Sequence, residues 1–220
     1  GVYLRRVHDH RMVGVDVALT PFPMAEDQKK WIQRSLNTTI GAQLCVRKDG
    51  DGPTSIEVIL ENIGAGHGFP SGATMDRRLW VEVIAYDLDD GIIFSSGVIE
   101  DGEAVVDLDD PQLWLMGSQG FDADGKKTHD LWNIRRLTTT VLPAPTARTS
   151  SAPDFIDIHQ SRIYQYEGPP PAYVSLAVRM RPIGLDVLDE LIEAGDLEPA
   201  YRDLMPTFDF GFARLDWAAE

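Results

Sequence analysis

The sequence holds one cysteine, Cys45, in 220 residues. A single thiol makes no internal disulfide, no Cys-x-x-Cys redox pair and no Cys-x-x-Cys-His haem attachment site. No run of 18 apolar residues exists, which excludes a membrane-spanning helix. The sequence has no Gly-x-Ser-x-Gly elbow, no His-Glu-x-x-His, no P-loop and no dinucleotide fingerprint. Gly64-x-Gly66-x-Gly68 runs into Phe69-Pro70 where a helix would have to begin. Positive charge is scarce as well: 20 Lys and Arg against 35 Asp and Glu leave a net charge of -15. Such a surface repels phosphate backbones, which excludes nucleic acid as a partner, and it disfavours anionic membranes on the same ground. Basic proteins and cations remain. No initiator Met or leader precedes Val2-Tyr3-Leu4, so the expectation is the C-terminal part of a larger secreted protein.

What is present suits one domain with a small appendage. At 43% hydrophobic and 25% charged residues, the chain can bury a core. Residues 1–19 are irregular. Thr20-Pro21 opens a helix expected from about Pro23 to Thr38, with Met24, Trp31, Ile32 and Leu36 on one face and Gly41 ending it. The period then drops to two. Gln43–Arg47 and Ser55–Asn62 flank Asp49-Gly50-Asp51-Gly52 as a hairpin, with Cys45 expected as a buried strand residue. Arg78–Asp87 alternates most clearly, and Asp89-Asp90-Gly91 returns it through Ile92–Val98. Thr138–Leu142 and Ala172–Arg181 are further strands. Leu185–Ala194 reverts to helical spacing, with Gly195 placed for a left-handed cap. Short strands and tight turns predict a mainly β chain, an antiparallel β-sandwich of immunoglobulin-like kind with a few peripheral helices. Its core is expected to include Val58, Leu60, Leu79, Val81, Val83, Val174, Leu176 and Val178. The expected division is 1–41, an upstream-facing segment with a helix, and 42–220, the sandwich with a C-terminal helical segment.

Three stretches could carry chemistry. In Val7-His8-Asp9-His10-Arg11, two histidines around an acid can supply a metal or iron ligand that Asp9 orients; the plain alternative is a solvated turn. In Asn62-Ile63-Gly64-Ala65-Gly66-His67-Gly68-Phe69-Pro70-Ser71-Gly72, four glycines allow close backbone approach. His67 is the titratable tip and Phe69 a flat apolar contact, an arrangement suited to a planar cofactor; Asp76-Arg77-Arg78 is placed to hold the loop. The plain alternative is a structural loop. Phe121-Asp122-Ala123-Asp124-Gly125-Lys126 is half of a calcium loop without the third acid or the closing Glu, so a turn is expected and not a calcium site. His129 and His159 stand isolated. The carboxylates are too many to single out a catalytic pair.

The run from Asn62 to Gly72, continuing through Arg77-Arg78-Leu79-Trp80-Val81-Glu82-Val83 to Ser95-Ser96-Gly97, resembles the C-terminal β-domain of multihaem c-type cytochromes. His8-Asp9-His10 followed by Gly14-Val15-Asp16 is similar to the end of their haem-binding region. The resemblance covers Val7 to Gly97 and departs from the family in lacking every Cys-x-x-Cys-His. It implies haem c held mainly by a segment upstream of Gly1, with His8 or His10 as a ligand and His67 ligating or abutting a haem. It also implies electron transfer rather than catalysis, redox proteins as partners, and a periplasmic or extracellular location. Two other readings stand beside it. One is a stand-alone ligand- or carbohydrate-binding sandwich. The other is a metal-dependent enzyme using His8, His10 and His67. The oligomeric state is not legible.

Overall fold

The computed structural model describes residues 14–48, 50–145 and 158–219. Its elements in chain order are α1 (Ala25–Leu36), β1 (Ile40–Lys48), β2 (Thr54–Asn62), β3 (Arg78–Tyr86), β4 (Ile92–Ser96), β5 (Trp114–Met116), β6 (Ser118–Phe121), β7 (Lys127–Thr128), β8 (Arg136–Thr139), β9 (His159–Tyr166), β10 (Tyr173–Arg181), α2 (Leu185–Glu193) and β11 (Phe208–Ala218). The chain is mainly β and its three sheets are antiparallel, as the alternating hydrophobicity requires. One sheet runs β1-β2-β9. A second runs β11-β10-β3-β4, with β5 on the free end of β3. The third, β7-β6-β8, is small.

The two larger sheets bury their inner faces against each other in the manner of a sandwich. All eight expected core residues are buried there, joined by Ile56, Ala85, Tyr164, Met180 and Phe210. The outer face of β3 is covered too. Trp80 is fully buried, donates its indole N–H to the Gly97 carbonyl at 3.1 Å and lies under the Arg181 guanidinium. Alternation in a central strand therefore does not mark a wet face here.

α1 begins at Ala25, after the expected Thr20-Pro21, and Met24 at its N-cap is exposed. Ile32 and Leu36 alone are buried from its apolar stripe. Gly41 does not end a segment; it lies within β1, opposite Glu61. Cys45 is half-buried rather than buried: Leu44 and Val46 take the core-facing side of β1, and alternation turns Cys45 away, opposite Glu57. The expected 138–142 strand is β8, two residues earlier, followed by a lone bridge from Leu142 to Phe69. α2 ends as expected at Gly195, whose φ of +80° lets Asp196 N donate to Leu191 O.

Candidate functional site

The glycine-rich loop leaves the end of β2 and is held by its own side chains. Asn62 is fully buried. Its amide donates to the carbonyls of His67 at 2.6 Å and Pro143 at 3.1 Å, and its Oδ1 accepts from Ala65 N at 3.1 Å. The N–H groups of Ile63 and Gly64 both donate to Thr39 O. These bonds fix the loop before any ligand is considered.

Three of the four glycines are accounted for by the protein itself. A Cβ on Gly64 would lie 2.4 Å from Thr38 O, and Gly66 and Gly72 both have φ of +74°. Only Gly68 lacks such a requirement. The close approach that suggested a planar partner is, at Gly64, an approach to the chain's own backbone. The expected role of Phe69 is corrected as well. Its ring is buried in the sandwich core, edge-on to Phe210 at 5.6 Å, and its backbone exchanges both hydrogen bonds with Leu142. A ring in the core offers no face to a cofactor at the surface.

His67 stays at the tip and is exposed. Its Nδ1 lies 3.0 Å from the Gly68 carbonyl oxygen. A carbonyl only accepts, so Nδ1 is the donor in this contact, and in the neutral ring the lone pair is then on Nε2. That is the tautomer in which imidazole ligates a metal, oriented by a backbone carbonyl behind it.

Arg77 ties the far end of the loop to the N-terminal segment. It is 6% exposed and donates to Ser71 O at 2.6 Å, to Pro182 O at 3.2 Å, and to both carboxylate oxygens of Asp16 at 2.7 and 3.2 Å. The expectation that the 76–78 run holds the loop is met by this residue. Val15 and Val17 pack against the main core on either side of Asp16. His8 and His10 lie outside the described residues. Among the described residues, no group of three or more His, Cys, Asp or Glu is arranged to hold a metal ion. The sequence holds no Cys-x-x-Cys-His attachment site, Cys45 being its one cysteine, whereas the exposed His67 ring fits an iron ligand.

The sequence reading passed over a second region. A cleft of about 760 Å³ lies between the small sheet, the start of β3 and α2. At its edge His129 Nε2 lies 2.5 Å from Glu190 Oε2 and its Nδ1 3.6 Å from Asp76 Oδ1, and Arg78 pairs with Asp186 along the wall. Residues 76, 129 and 190 are too far apart in sequence for any spacing rule to join them. His159 stands at the start of β9, opposite Glu61.

No protein-family model and no curated protein matches the chain. Among solved structures, the penta-heme cytochrome c552 from Thermochromatium tepidum is similar, with a TM-score of 0.61 and 15% sequence identity. The match covers 85% of this chain and 41% of that one, so the chain spans less than half the length of that cytochrome. At this identity the likeness is one of fold alone: the chain shares the fold of the part of that cytochrome it matches.

Proposed function

We propose that this chain is an electron-transfer accessory domain of a multihaem c-type cytochrome, working in the periplasm or at the cell surface. Haem c is carried by a segment upstream of Gly1 or by a partner. This domain caps it and supplies His67 as an axial ligand through Nε2. Ligand identity and burial are the protein's means of setting a haem's potential. The observation that carries the reading is the pre-organised tip, an exposed imidazole whose Nδ1 is committed to Gly68 O on a loop fixed by Asn62. The shared fold supports it.

The reading extends to His8 and His10. Asp16 lies six residues beyond His10, and Ser71 four beyond His67. Arg77 binds both, so Asp16 is held beside the far end of the His67 loop. The proposal assigns His8 and His10 to the same haem.

In the full-length protein, His67→Ala is expected to shift the spectrum or potential of one haem, to leave the others unchanged and to leave the melting temperature intact. Added imidazole is expected to restore that haem. A full set of unaltered spectra and potentials in the variant rejects the ligand role. The cleft beside His129 favours a second reading, a stand-alone polar-ligand or carbohydrate-binding module. It predicts calorimetric binding of neutral oligosaccharides by a protein that holds no haem.

A further inference from the structure

The small sheet is an island on this molecule. Residues 118–145 carry Lys126, Lys127, Arg135 and Arg136 against Asp122, Asp124 and Asp130, one net positive charge in a chain of -15. All four cationic residues are exposed. Among them stand Leu131 and Trp132, 73% and 75% exposed, and Leu137 is exposed as well. Arg135 donates to the Trp132 carbonyl at 3.2 Å, so charge and aromatic are held in one loop. Leu131, Trp132 and Leu137 form an exposed apolar patch within seven residues, and Trp and Arg are residues enriched in binding hot spots.

The far end of the five-stranded sheet carries the complementary surface. The β3–β4 turn presents Leu88, 92% exposed, and Ile92, also exposed, beside Asp89 and Asp90. On β11, Asp216 is exposed and lies opposite Ser175, two residues along β10 from Tyr173, which faces Tyr86 at the start of the turn, so Asp216 joins this acidic end. The two patches cannot meet within one molecule. β5 pairs Met116 with Leu79, which launches the small sheet from the Arg78 end of β3, and His129 pins it to α2 at that end. The turn follows Tyr86 at the other end, roughly 27 Å away at about 3.4 Å per residue.

We propose that this chain associates head to tail with a second copy. The basic, Trp132-bearing small sheet of one molecule docks on the acidic, Leu88-bearing turn of the next. A two-fold dimer through the turn would set its carboxylates against each other; the proposed contact joins unlike patches, so it is heterologous and leaves a free patch at each end of every assembly. Its charges are exposed, which makes it weak and salt-sensitive.

The test is sedimentation velocity of the full-length protein across a concentration series at low and high ionic strength, with two charge-reversed variants. One carries Trp132→Glu with Arg135→Glu; the other carries Leu88→Lys with Asp89→Lys. All four positions are exposed, and unchanged melting curves verify folding. The expected result is a mass that rises with concentration at low salt and returns to monomer at high salt. Each variant alone is expected to be monomeric. Their equimolar mixture is expected to associate again, because the unaltered turn of the first variant still complements the unaltered small sheet of the second. A wild-type protein that is monomeric at every concentration, association that survives in either variant, or a mixture that stays monomeric overturns the proposal. In the first case the small sheet is free to serve a foreign acidic protein instead.

Discussion

Gly64→Ala is the sharpest probe of the candidate loop, because the structure and the cofactor-contact reading assign that glycine to different causes. The added Cβ would lie 2.4 Å from Thr38 O and 3.2 Å from both Thr38 C and Thr39 Cα. All three are backbone atoms, so no rotamer change relieves the clash. The peptide must move, and it is held by two hydrogen bonds, from Ile63 N at 2.9 Å and Gly64 N at 3.1 Å to Thr39 O. Weakening that pair costs about 1 kcal/mol per bond, and overpacking strain is about 1–3 kcal/mol. A net loss of roughly 3–5 kcal/mol follows, which for a chain of this size lowers the melting temperature by roughly 6–20 °C. Gly68→Ala is the control. Its Cβ would meet Leu142 O at 3.5 Å and Val141 Cγ2 at 3.7 Å, ordinary contacts, and its φ is not in the left-handed region. That variant should be neutral or stabilised by about 0.5 kcal/mol through the loss of unfolded-state freedom. Thermal melts of both variants, read by circular dichroism, decide the matter. A Gly64→Ala protein that melts with wild type would show that the 38–39 and 63–64 segments do not touch as described. A Gly68→Ala protein that is strongly destabilised would show that the loop's tolerance has been misjudged.

Two further substitutions test the interior. The Tyr164 hydroxyl is fully buried and has no hydrogen-bond partner among the described residues, so Tyr164→Phe should hold stability or raise it by up to about 1 kcal/mol; a larger loss in denaturant titration would reveal a partner for that oxygen. Glu82 has its carboxyl pushed above the ordinary 4.5, chiefly by burial and against the pull of Arg179. The native state then holds this proton more readily than the unfolded chain does. The associated stability is full below pH 4.5 and is lost as pH rises through the higher native value. Glu82→Gln should remove that slope, and an unchanged difference between wild-type and variant stability across mildly acidic pH would contradict it.

Much of the architecture was legible along the chain. Strict alternation in β2, β3 and β10 named the core-facing residues one by one, because a sandwich strand turns every second side chain toward the facing sheet; it did not show that the other face of β3 and β10 is covered as well. Turn chemistry at Asp89-Asp90-Gly91 and the left-handed glycine at 195 are local properties and were read as such. β9 and β11 were not read as strands. β9 is an edge strand with most side chains in water, and β11 breaks its pairing register between Asp209 and Arg214. Neither keeps the period that a pattern needs.

The site divides the same way. Sequence alone determined that His67 sits at the tip of a glycine-rich loop, since glycine, proline and a hydrogen-bonding Asn62 announce a turn wherever they occur. Only the tertiary structure decided what surrounds that loop. Phe69 went to the core because Phe210, 141 residues away, provides its partner there. Gly64 is required by Thr38, and Arg77 joins Ser71 to Asp16 across the fold. His129 met Glu190, and the small sheet was set at the opposite end of β3 from the Leu88 turn. These contacts depend on which sheets stack and which strands pair, a choice made by the burial of the whole apolar surface at once and written in no short stretch of residues.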